Sequence, residues 1–278
     1  MGGQRAAESG SGTPPARRLS FRIGTIAGIE IRVHVTFLML VALVALAATT
    51  EQGPGLASGL SWLVALFACV VAHELGHSLV ARRHGIPTVE IELLPIGGVS
   101  KLAGSPDDPR VELRIAIAGP IVSMILAIAF GLAAAVARVA MWPPTLYGGG
   151  FLARLAWVNL LLAAFNLLPA MPLDGGRVFR SMLERRVDRE RATRLAARVA
   201  RGVAVAMVGL GIVLNAWLIL IGVFVYFASS AEERATLIHE RVKSRHVSDV
   251  MIDNPIVKFE RKASEADDVS QEYTLVTR

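Results

Sequence analysis

Three residues in "VVAHELGHSLVARR" (70–83) have the types and spacing of a hydrolytic metal site. His73 and His77 are four residues apart. On a helix that offset is about 40° of rotation, so both imidazoles reach one point on the same face. Two neutral imidazoles so placed bind zinc well. Glu74 lies beside them and can take a proton from a metal-bound water. Two histidines leave a catalytic zinc short of a ligand, since three protein ligands are usual with water as the fourth. The candidate for the third is Asp174, in "NLLPAMPLDGGR" (166–177), 97 residues beyond His77. An Asp-Gly pair is also an ordinary turn former, so position alone leaves both readings open.

The elements that must hold these residues are apolar. Of 278 residues, 53% are hydrophobic and 19% charged, and the mean hydropathy is +0.51. Several runs approach the roughly 20 residues that a helix needs to cross a bilayer. The fold expected is an all-α polytopic membrane protein of about six transmembrane helices, five being the other count considered. The spans read as 36–50, 56–80, 114–140 and 151–168, then two that meet near Asn215 within the apolar stretch 202–230. Span one is short and is expected to borrow residues upstream. The HELGH run lies inside span two. On a soluble helix it would read as a solvated polar face, but a bilayer supplies no water to make three ionisable groups cheap, and such residues usually mark function.

Two stretches alternate with period two: Ile29, Ile31, Val33 and Val35, then Val89, Ile91 and Leu93. They are expected to pair as a small β-sheet on the basic side, next to a re-entrant loop at Pro95 and Gly97–Gly98. Non-helical backbone at that depth survives only inside protein or along a wet cavity.

Arg and Lys cluster in the tail, in 81–113, in 177–201 and near the C-terminus, whereas the turns at 49–56 and 141–150 are nearly free of them. The positive-inside rule then places both termini in the cytoplasm and the HELGH site within the membrane near its cytoplasmic side. Trp142 and Tyr147 suit the opposite interface. Short basic loops between apolar spans account for the net charge of +6, and no nucleic acid partner is expected. One cysteine, Cys69, excludes an internal disulfide. Residues 1–20 read as a disordered basic tail, 21–240 as the membrane-embedded domain and 241–278 as a cytoplasmic tail. His34 reads as interfacial and His84 as a basic-loop residue.

The pairing of "HELGH" on span two with "NLLPAMPLDGGR" after span four resembles the site-2 protease family of intramembrane zinc metalloproteases, in its compact branch without a PDZ insertion. "GIEIRVHVTF" (28–37), "PIGGV" (95–99) and "IAGP" (117–120) agree with that resemblance. It implies one Zn2+ per chain, held by His73, His77 and Asp174, with Glu74 as the catalytic base. It further implies that Asn166 binds or positions substrate, with Pro169 and Pro172 shaping the segment. The substrate implied is a single-pass membrane protein, such as an anti-sigma factor or another tethered regulator, cut in regulated intramembrane proteolysis.

A substrate helix must unwind locally to expose a peptide bond. A free sheet edge, at 29–35 or 89–93, could hold it by β-augmentation. "VSDVMIDNP" (247–255) resembles the opening of a CBS module, but too little chain follows for a full one, and no nucleotide ligand is expected. The rival readings are an ion-coupled transporter, which broken helices would also suit, and a catalytically inactive scaffold.

Overall fold

The computed structural model describes residues 19–50, 55–104, 106–142 and 150–243. The basic tail through residue 18, the turn at 51–54, Tyr147 and the CBS-like stretch at 247–255 lie outside them. The chain divides into two units, Met1–Arg234 and Ala235–Arg278. Among the described residues the second unit holds only the end of the last helix.

Two hairpins make a four-stranded sheet. Strands β1 (Ser20–Ile26) and β2 (Ile29–His34) are antiparallel, as are β3 (Thr88–Leu94) and β4 (Gly97–Leu102), and β2 pairs with β3 in parallel. The β1–β2 turn is two residues, Ala27 and Gly28, both with positive φ, the twist that a tight hairpin needs. The alternation read from sequence holds at Ile29, Ile31, Val33, Ile91 and Leu93, which are buried together, but not at Val35 and Val89, which are exposed. Glu90, Glu92 and Lys101 form a charged cluster across β3 and β4, with Lys101 Nζ 2.8 Å from Glu90 and 2.6 Å from Glu92.

Two expectations are corrected here. Residues 97–102 are a strand, not a re-entrant loop, because Pro95 and Ile96 turn the chain back beside β3. The strands at 29–35 and 89–93 are not free edges either. The order β1-β2-β3-β4 makes them central, and the edges are β1 and β4.

Seven helices follow the same order: α1 (Phe37–Ala48), α2 (Leu56–Arg83), α3 (Pro109–Val136), α4 (Phe151–Asn166), α5 (Asp174–Leu183), α6 (Arg189–Leu214) and α7 (Ala216–Lys243). Four of them, α2, α3, α6 and α7, are long and apolar enough to cross a membrane. Only 17–39% of their apolar windows is buried inside the fold, so most of that surface faces outward, as a bilayer-spanning bundle requires. The remaining apolar helices, α1 with 12 residues and α4 with 16, are about 18 and 24 Å long at 1.5 Å per residue. Span one does not borrow residues upstream, because those residues form β2. Asn215 separates α6 from α7, where the sequence places a junction.

The sheet packs on the membrane helices through Leu63, Phe67 and Val70 of α2. Phe37 of α1 meets Phe67 edge-on, with centroids 4.6 Å apart. A second core joins Ala200 and Ala204 of α6 to Val225 of α7 and to Ala170 in the segment before α5. Small side chains on α6 let that segment lie close.

Candidate metal centre

His73 and His77 lie on the buried face of α2, and Asp174 is the first residue of α5. The fold brings them together across the bundle. His73 Nε2 is 3.1 Å from Asp174 Oδ2, His77 Nε2 is 3.2 Å from the same oxygen, and the two Nε2 atoms are 3.2 Å apart. All three residues are buried.

This triangle fits a metal on two grounds. A tetrahedral ion with bonds of about 2.0–2.1 Å sets its ligand atoms about 3.3–3.4 Å apart, close to the separations found. The donor set also lacks its own protons. His77 Nδ1 lies 2.7 Å from the Ile115 carbonyl, which can only accept, so Nδ1 carries the hydrogen and neutral His77 presents a lone pair at Nε2. His73 Nδ1 is 2.9 Å from Ser123 Oγ, and donation to that hydroxyl leaves its Nε2 in the same state. Two lone pairs and a carboxylate facing one another repel unless a cation lies among them. These outer contacts fix tautomer and ring orientation, as at other histidine metal sites.

Both outer partners come from α3, and so does the space. Ile115 and Ser123 bracket Pro120, which lacks the amide that would bond back to the preceding turn. A Cβ at Gly119 would run into the imidazoles of both His73 and His77. One at Gly76, inside the HELGH motif, would come 2.9 Å from the Ala118 carbonyl. Two glycines facing across α2 and α3 therefore let the helices approach closely enough for the rings to fit.

Glu74 is held from the sheet. Ser100 Oγ on β4 donates to Glu74 Oε2 at 2.6 Å, and a Cβ at Gly98 would come 2.8 Å from the Glu74 side chain. Ser100, Ser123 and Gly119 were not singled out from sequence. Gly119 lies in "IAGP" (117–120), Ser123 three residues past it, and Ser100 directly follows "PIGGV" (95–99); which side chain each meets depends on packing.

Asp174 is positioned by a buried ion cluster. Arg180, two turns along α5, pairs closely with Glu112 on α3; they are 5% and 1% exposed. Arg177 and Arg189 approach the same carboxylate at 3.8 and 3.9 Å. At the start of α5, a Cβ on Gly175 would meet the Leu167 and Leu168 carbonyls, and one on Gly176 would come 2.5 Å from the Met171 amide. The Gly-Gly pair after Asp174 thus serves close packing of the broken segment.

A cleft of about 770 Å³ opens onto the centre, lined by His73, Glu74, His77 and Asp174 and extending between α1, α2 and α4. Asn166 and Pro172 line it; Pro169 does not. His34 lies elsewhere, with its Nδ1 2.8 Å from Thr36 Oγ1 at the junction of β2 and α1. His84 ends α2.

The family model described as peptidase family M50 matches residues 61–142 and 149–210. A zinc metalloprotease of Methanocaldococcus jannaschii is 36% identical over 242 residues, 85% of this chain and 67% of its own length. The Rip3 protein of Mycobacterium tuberculosis is 36% identical over 252 residues, 84% of this chain and 63% of its own. The chain thus spans about two thirds of these relatives' length. Among solved structures, a site-2 protease from Methanocaldococcus jannaschii superposes with a TM-score of 0.57 at 36% identity, covering 77% of this chain and 95% of that one.

Proposed function

The chain belongs to peptidase family M50, the zinc metalloproteases of the membrane, and from that premise we propose that it hydrolyses a peptide bond within or near the transmembrane segment of a single-pass, membrane-tethered protein. The observation that carries this reading is the triangle of His73, His77 and Asp174 beside Glu74, at the wall of a cleft inside an apolar bundle. Zinc held by the three ligands would supply Lewis-acid polarisation and a water acidic enough to ionise near neutral pH.

The chain's own residues do the rest. Ser100 occupies one oxygen of Glu74 and turns the carboxylate toward the cleft. The other oxygen takes a proton from the attacking water and returns it to the amide nitrogen as the C–N bond breaks. Asn166 and Pro172, at the cleft wall, position the extended substrate. β4 offers a free edge beside Glu74, so the substrate strand adds there by β-augmentation. A proline at Val99 should lower turnover, and unchanged turnover would sink that step.

A membrane-tethered regulator such as an anti-sigma factor fits the chemistry, as does regulated intramembrane proteolysis. The arginine distribution supports cytoplasmic termini and a site near that face. The test is cleavage of a detergent-solubilised single-span peptide by wild type and Glu74→Gln. Wild type should cut it; the variant should keep its zinc and lose about 10²–10⁴-fold in rate. Equal rates would contradict the proposal.

A further inference from the structure

The cleft carries one charge that the hydrolytic machinery does not use. Arg154, in the first turn of α4, lines it. Its guanidinium carbon lies 4.6 Å over the Trp62 ring and 5.8 Å from the Phe151 ring centre. The contact with Trp62 restrains the guanidinium, whose planar fork is the shape that pairs with a carboxylate. Nε is buried and has no hydrogen-bond partner. Among the described residues no carboxylate stands within ion-pair reach of it. The other charged residues of the cleft lie at the metal end, where Arg177 faces Glu112 at 3.8 Å. Arg154 is half-buried, and a guanidinium among apolar walls with no carboxylate in reach among the described residues is suited to hold an anion.

Two helices measure its distance from the reaction. Trp62 precedes Glu74 by twelve residues on α2, and Arg154 precedes Asn166 by twelve on α4. Both intervals amount to about 18 Å. That is about twelve residues of a helical occupant, or about six of a wholly extended one.

Resting on the reading of the cleft as the substrate's seat, we propose that Arg154 is a specificity determinant: it pairs with a carboxylate on the substrate segment, an acidic side chain or a chain-terminal carboxylate, six to twelve residues from the cleaved bond. Walls that are otherwise apolar accept almost any hydrophobic helix. One bidentate charged pair at a fixed distance would set which bond of that helix reaches Glu74.

The test uses the full zinc-loaded chain in detergent and synthetic single-span peptides. Each peptide carries one Asp, Asn or Lys, stepped along either side of the cleaved bond, which mass spectrometry identifies. The readout is the ratio of kcat/KM for Asp over Asn within each enzyme variant, so a poorly folded variant does not distort it. In wild type the ratio should peak at about tenfold or more at one or two positions in the six-to-twelve window. It should fall to about one in Arg154→Gln, and Arg154→Glu should prefer Lys there. A ratio flat with position, or one that Arg154→Gln leaves in place, overturns the inference. So does a flat ratio together with a lipid phosphate that copurifies with wild type and is lost in Arg154→Gln. If wild type cuts none of the peptides, the hydrolytic reading itself fails, which is a separate outcome.

Discussion

Gly119 and Ser123 act on the histidines without holding the metal. Gly119→Ala should cost the zinc site outright, because the added methyl occupies the space of both imidazoles. Ser123→Ala removes the partner of His73 Nδ1 and should weaken zinc affinity by about 10–100-fold. Competition with a zinc chelator measures both, with helical content by circular dichroism as the control; unchanged affinity in either variant would contradict the role given to α3. At this scale the sequence was informative where chemistry is local. His73, Glu74 and His77 are legible because four residues of helix bring two imidazoles to one side. Asp174 was legible only through the broken segment around it. Gly119, Ser123 and Ser100 were not, because each owes its role to a neighbouring element that no local pattern names.

Among the elements, α5 is the one whose placement decides the site, since it starts at Asp174. Glu112→Gln removes the nearer of the two carboxylates that pair with buried Arg180 and leaves Glu184 at 3.7 Å, a loss of about 1.5–3 kcal/mol for a hydrogen bond between charged groups. Thermal unfolding in mild detergent should show that loss, and zinc affinity should fall with it. Stability within about 0.5 kcal/mol of wild type, the usual range of a surface substitution, would remove the clamp from the account. The β3–β4 hairpin behaves differently with pH. The Lys101 ammonium holds Glu92 below its usual 4.5, and the carboxylates of Glu90 and Glu92 hold Lys101 above 10.5. A lowered acid contributes stability above its unfolded pKa and loses it as pH falls through the folded one. A raised base contributes below its unfolded pKa and loses it as pH rises through the folded one. Hydrogen-exchange protection factors across Gly97–Leu102 should therefore stay flat between about pH 5 and 10 and fall in stronger acid. A change between pH 6 and 9 would count against this pair. The pairing of 29–35 with 89–93 was readable from period two. The strand at 97–102 was masked by its glycines, which read as a break yet serve the approach to Glu74.

On the scale of the whole molecule, four helices can cross a bilayer by length, and α1 and α4 are apolar but short. The apolar runs and the break at Asn215 were visible in composition. The reach of α1 was not, because where a helix stops depends on the strand that precedes it. Cys69 is buried, so single added cysteines report topology cleanly. Trp142→Cys, at a residue 74% exposed, should react with an impermeant maleimide from outside the cell, whereas Arg185→Cys should not; the reverse pattern would invert the orientation proposed. The claim on which the rest depends is that residues 101 apart in sequence share one metal. The most direct measurement is the zinc content of the purified chain, wild type against Asp174→Ala. About one zinc per chain in wild type, lost or sharply weakened in the variant, is the result expected. No zinc in wild type, or undiminished zinc in Asp174→Ala, would contradict it.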